Sequence, residues 1–190
     1  MSQSNDSNES KERNERIIQL VQASQSASSA ESRVLDAAPN EIIMSRVINA
    51  PREVVFAAWT DSEHLANWYG PEGFTITTHS IDVRTGGQWR FTMHGPDGVD
   101  YKNLIIYTEI AKPERIVHQH SGDGGDEEDL HFETTVTFID LGNGKTELQL
   151  RSLFDTARER DDVVEKHGAI EGGKQTLGRL ASYAEAMRTT

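Results

Sequence analysis

Cysteine is absent from all 190 residues. That absence removes disulfides, thiolate zinc sites, iron–sulfur clusters and thiol nucleophiles together, and it suits a reducing cytoplasm. Positive charge is scarce: 19 Lys and Arg stand against 31 Asp and Glu, a formal net charge of −12. Such a balance repels phosphate backbones and anionic headgroups, so nucleic acid is not an expected partner. No apolar run reaches bilayer length, and the opening MSQSNDSNES has neither the basic region nor the apolar stretch of a signal peptide. The expectation is a soluble, cytoplasmic protein without membrane insertion. Familiar catalytic signatures are missing too: there is no G-x-S-x-G elbow, P-loop or H-E-x-x-H run, and Gly86-Gly87 leads into a strand, not the helix of a dinucleotide fingerprint. The acidic loop GDGGDEED fails the calcium-loop register, because Asp123 is followed by Gly125 and Glu127. It reads as a solvated charge run. No catalytic residue, metal or cofactor is assigned.

What is present divides at about residue 40. Residues 1–39 are rich in Ser, Asn, Gln and Glu, with one apolar cluster at Ile17, Ile18, Leu20 and Val21. They read as a polar extension, flexible or carrying a short docking helix. The N-x-S triplets at Asn5 and Asn8 are chance matches in such a tail. Residues 40–190 form one domain, which at about 150 residues buries roughly 70% of the surface its unfolded chain exposes and needs no staples.

Within that domain EIIMSRVIN is a β-branched strand ending at Ala50-Pro51. PREVVFAAWT reads as a helix, Pro51 suiting its first turn. Asp61 restarts a second short helix that Gly70-Pro71 ends. Six further strands follow, bounded by turn residues: FTITTHSIDVR, QWRFTMH, VDYKNLIIYTEI, RIVHQHS, HFETTVTFID and TELQLRSLF. They make a mostly hairpin-connected sheet of about seven strands. Trp89, Phe91 and Met93 alternate with polar neighbours, as do Phe132, Val136 and Phe138, so one face of the sheet seeks cover. The cover is a single amphipathic helix from about Asp161 to Met187, with Val163, His167, Ile170, Leu177, Ala181, Ala184 and Met187 on its inner stripe. The fold class is α+β.

Five segments in order resemble a known family: APREVVFAAWTDSEHLANWYGPEGF at 50–74, the D-x-R-x-G-G-x-W-R-F run from Asp82 to Phe91, GPDG at 95–98, EIAKPERI at 109–116, and GAIEGGKQTLGRLASY from Gly168 to Tyr183. Together they resemble the START-like (SRPBCC) superfamily, in the branch similar to the C-terminal domain of the activator of the Hsp90 ATPase. The resemblance implies a helix-grip fold and an internal cavity used by relatives for lipids, polyketides or other apolar ligands. It does not imply one activity. Tyr69 stands where many members have a second tryptophan, and Gly173 and Gly178 occupy helix positions where larger or charged residues are common. If Gly172 and Gly173 face the sheet, they enlarge the cavity or admit a closer helix.

The expected ligand-binding residues are Phe56, Trp59, Trp68, Phe74, Trp89, Phe91, Tyr107, Phe132, His167, Ile170 and Leu177, since ligand pockets are mostly apolar with a few placed polar groups. The alternative for each is plain core packing. His118 and His120 share a strand face and His131 begins the next strand, which makes a metal site sterically conceivable. A satisfied or solvent-facing histidine is the reading adopted. Asp82 and Arg84, two apart on one strand, are expected to pair. Three functions follow: binding of an apolar small molecule, an enzyme of cyclase, dehydratase or hydrolase type in the same cavity, or a chaperone partner that activates an Hsp90-type ATPase. The last is ranked lowest because relatives of the activator use a second, N-terminal domain. Homodimerisation is left open.

Overall fold

The computed structural model describes residues 31–122 and 131–188. The apolar cluster at Ile17 to Val21, the Asn5 and Asn8 triplets and the loop from Asp123 to Asp129 lie outside the described residues. Element order is β1 (Arg33–Leu35), β2 (Glu41–Ile48), α1 (Arg52–Thr60), α2 (Ser62–Trp68), β3 (Thr75–Ile81), β4 (Gln88–His94), β5 (Asp100–Ala111), β6 (Arg115–Gly122), β7 (Phe132–Gly142), β8 (Lys145–Phe154), α3 (Ala157–His167) and α4 (Ala169–Met187). The eight strands form one antiparallel sheet in the order β1-β2-β8-β7-β6-β5-β4-β3. Hairpins join β3 through β8 in sequence, while β2 closes onto β8, because the helix pair carries the chain from one side of the sheet to the other.

Two sequence expectations are corrected. There are eight strands, not about seven: Arg33–Leu35 pairs with Ile43 to Ser45 of β2, so the sheet begins inside the segment read as an extension. At three residues this strand is too short for alternation to reveal it. The C-terminal cover is also two helices, not one. Gly168 takes a left-handed conformation (φ 60°, ψ 37°), serving as C-cap of α3 and N-cap of α4. Glycine adopts φ > 0 without a Cβ penalty, and the apolar spacing continues across it, so periodicity does not register a break made by one residue's dihedrals.

Local chemistry accounts for the remaining boundaries. Asp61 caps α2, its carboxylate accepting the Glu63 N–H at 2.9 Å. Thr156 and Glu159 form a reciprocal capping box at the start of α3. Asp82 and Arg84 pair at 2.9 Å as expected, both exposed. The core lies between the sheet's apolar face and the helices, built from Ile48, Val55, Leu65, Trp68, Trp89, Ile116, Val136, Leu148, Leu177 and Leu180 among others. Each such side chain contributes about 1.5–3 kcal/mol on burial. The principal helix–strand approaches are α4 to β2, α1 to β7 and β8, α2 to β3, and α3 to β2 and β8; neither β5 nor β6 takes part in one.

Candidate ligand-binding site

Strand alternation turns Trp89 and Phe91 of β4, Ile105 and Tyr107 of β5, Ile116, His118 and His120 of β6, and Phe132, Thr134 and Val136 of β7 to the helix-covered face. The aromatic members form a continuous wall. Trp59 and Trp68 meet edge-on with ring centroids 4.8 Å apart, and Tyr69 joins both of them to Trp89 (5.1 Å) and Phe91 (5.7 Å). Trp89 stacks on Phe91 at 3.9 Å. From Phe91 the wall continues through His120, 6.5 Å away, to Phe132, which stacks on His120 at 4.8 Å, and then to Phe154. A branch runs from His120 through His118 to Tyr107.

Six of the eleven expected residues therefore stand together: Trp59, Trp68, Trp89, Phe91, Tyr107 and Phe132. Phe56 is buried elsewhere, edge-on to Phe138, where it anchors α1 to β7. Phe74 is half-buried beside Tyr101. Leu177 is buried in the core and Ile170 is packed against it, half-buried, at the start of α4. His167 is exposed at the last turn of α3, not on an inner face as expected. It shares α3 with the buried Val163, but the helix ends at Gly168, and its last residues from Glu165 to His167 are exposed.

His118 is 2% exposed, and neither ring nitrogen has a hydrogen-bond partner. The expectation of a satisfied or solvent-facing histidine thus fails for this residue. His120 meets it: its Nε2 donates to Asn103 Oδ1 at 2.9 Å, which leaves Nδ1 the acceptor. Burial holds both imidazoles neutral. It lowers His118 from 6.5 to about 3, with His120 adding a smaller push in the same direction and the Gln119 backbone a weaker opposing one, and lowers His120 to about 4. Burial raises Tyr69 and Tyr107 well above the ordinary phenol range, so both stay protonated. Among the three tryptophans, Trp68 donates to Ala58 O (2.9 Å) and Trp89 to Thr78 Oγ1 (3.1 Å), while the buried Trp59 Nε1 has no partner. The shared strand face read from RIVHQHS holds, and it is the face of Ile116.

Two other features stand apart from this wall. A recess of about 820 Å³ opens along α4 between Arg46 of β2 and Asn67 of α2, lined by Lys174, Gln175, Arg179 and Tyr183 among others; none of the expected ligand-binding residues lines it. A hydroxyl–imidazole–carboxylate relay joins Thr77, His94 and Asp100 at 2.8 and 2.6 Å on the sheet's opposite face. Asp100 is 61% exposed there, so water competes with its contact. Among the described residues, no group of three or more His, Asp or Glu is placed to hold a metal ion. No helix among them is long and apolar enough to cross a membrane.

Solved structures share this architecture at low identity. A protein from Arthrobacter aurescens superposes with a TM-score of 0.74 at 20% identity, over 81% of this chain and 91% of its own. One from Chromobacterium violaceum is 28% identical, with a TM-score of 0.66 over 78% of this chain and 99% of its own. The AHSA1 protein from Silicibacter pomeroyi is 20% identical, with a TM-score of 0.63 over 77% of this chain and 99% of its own. None of the curated proteins compared matches the chain. The family model described as activator of Hsp90 ATPase homolog 1-like protein matches residues 49–185, a span running from the end of β2 to the last turns of α4, and by that match the chain belongs to this family.

Proposed function

We propose that the domain binds an apolar small molecule against the inner face of β4 to β7. The observation that carries the reading is His118: a fully buried imidazole, set in an aromatic wall, whose two ring nitrogens both lack a partner. Unpaired buried polar groups cost about 1–3 kcal/mol each, so folded proteins rarely keep them without a use. Trp59 Nε1, a second unpaired donor on the same wall, supports it. The fold supports it as well, since helix-grip domains commonly hold hydrophobic ligands between sheet and helix.

All three tryptophans of the chain stand in this wall. Their emission therefore reports on its occupancy. Native mass spectrometry of protein purified from cells, before and after denaturation, is expected to release a bound apolar compound. Titration of stripped protein with 2-naphthol is expected to quench tryptophan emission saturably and raise the melting temperature. Absence of both a released compound and a saturable response removes the reading.

A further inference from the structure

Cross-strand register places four hydrogen-bonding side chains in one row across β5 to β8. Tyr107 is opposite His118, His118 opposite Thr134, and Thr134 opposite Ser152. Cross-strand partners share a face, so the row lies on the helix-covered side. The flanking rows are mostly apolar: Ile110, Ile116, Val136 and Leu150 on one side, and Ile105, His120, Phe132 and Phe154 on the other. The wall is therefore greasy with a single polar stripe, and His118 with its two unpaired nitrogens stands in the stripe.

The stripe carries no charge at neutral pH. His118, like His120 in the flanking row, is held neutral by burial, Tyr107 keeps its proton, and Thr134 and Ser152 do not ionise. A neutral imidazole offers one donor and one acceptor. The Asn103 bond fixes the tautomer of His120, whereas no side chain fixes that of His118, whose ring nitrogens have no partner at full hydrogen-bond geometry and only a weak backbone interaction at Gln119. Its ring can meet a hydroxyl that both gives and accepts, or a carbonyl that only accepts. A carboxylate, phosphate or ammonium entering there would lose its hydration with no opposite charge to replace it.

Resting on the proposed binding function, we infer that the ligand is an uncharged apolar molecule bearing one hydroxyl or carbonyl, which hydrogen-bonds to His118 from within the stripe. The class includes phenols, sterol-like alcohols and neutral ketones. It excludes fatty acids, phosphorylated lipids and amines.

Equilibrium dialysis at pH 7 with naphthalene, 2-naphthol and 2-naphthoate tests this, because the three share a ring system and differ in one group. The wild-type protein is expected to bind 2-naphthol about tenfold tighter than naphthalene, the scale of one buried hydrogen bond, and 2-naphthoate more weakly than either. In His118→Leu the preference for the naphthol is expected to vanish while naphthalene binding persists. His118→Gln, which keeps a donor and an acceptor, is expected to restore part of it. Equal wild-type affinities for naphthol and naphthalene, or tightest binding of the naphthoate, overturn the inference and leave the binding function standing. An undiminished naphthol preference in His118→Leu overturns it too. Failure of all three compounds to bind removes the binding function and the inference together.

Discussion

Gly173 of α4 and Met44 of β2 stand so close that a methyl group on Gly173 would lie 2.2 Å from Met44 Cε and 2.9 Å from its Sδ. Met44 is 4% exposed, so its side chain fills the space a larger residue on α4 would need. The helix thus lies flush on β2, and the glycine brings the helix closer there instead of widening a cavity.

Replacing Gly173 sets helix preference against this contact. Alanine is worth up to about 1 kcal/mol over glycine in a helix interior, but it must displace the end of Met44. Gly173→Ala is expected to be neutral or destabilising alone and stabilising in a Met44→Val background, where the clashing atoms are gone. A double-mutant cycle by urea denaturation reads the coupling, expected at about 0.5–3 kcal/mol. Strict additivity would contradict the geometry.

His118→Leu removes two unpaired buried nitrogens at similar volume. Ligand-free protein carrying it is expected to be more stable than wild type by about 1–3 kcal/mol, since an apolar group replaces an unsatisfied polar one. Chemical denaturation of stripped protein measures this. A loss of stability would mean that His118 makes bonds in the free protein.

The two buried histidines predict a pH dependence with a definite sign. Their folded values, about 3 and about 4, lie below the ordinary 6.5. The unfolded chain therefore takes up protons that the folded chain refuses once the pH drops below about 6.5. Their contribution is fully present above that pH and declines as pH falls toward 4, by at most about 1.4 kcal/mol per pH unit for each ring. Denaturation midpoints at pH 7, 6 and 5 should fall steadily in wild type, and less steeply in His118→Leu. Parallel profiles for the two proteins would refute the assignment to His118.

Arg179 of α4 donates from Nη1 to the carbonyls of Gly70 (2.9 Å) and Pro71 (2.8 Å), tying the long helix to the loop after α2. Arg179→Ala is expected to cost about 1.5–3 kcal/mol, the range for hydrogen bonds from a charged donor. For a domain of this size each kcal/mol lowers the melting temperature by about 2–4 °C, which a calorimetric scan resolves. Arg179→Lys should recover only part of the loss, because an ammonium lacks the planar fork of a guanidinium.

The strands from Thr75 to Phe154 and the pair α1 and α2 were legible because their signals are local. Alternation of Trp89, Phe91 and Met93, the Pro51 start, the Asp61 cap and the glycine-bearing turns each act within a few residues. The aromatic half of the site was legible for the same reason: period two puts Trp89 and Phe91 on one face, and sheet membership does the rest. His167 was misplaced because the helix that holds it ends at Gly168, and the apolar spacing continues across that break without recording it.

Sequence by itself determined the fold class, the apolar face and the absence of thiol chemistry, since composition and short-range periodicity are properties of the chain alone. Only the tertiary structure decided which strands pair and in what register. It thereby decided that Tyr107, His118, Thr134 and Ser152, residues far apart in the chain, share one stripe. Whether a buried histidine finds a partner depends on what long-range packing brings beside it. His120 met the Asn103 amide and the His118 nitrogens met no side chain, a difference that two residues of the same type on the same strand could not show before the chain was folded.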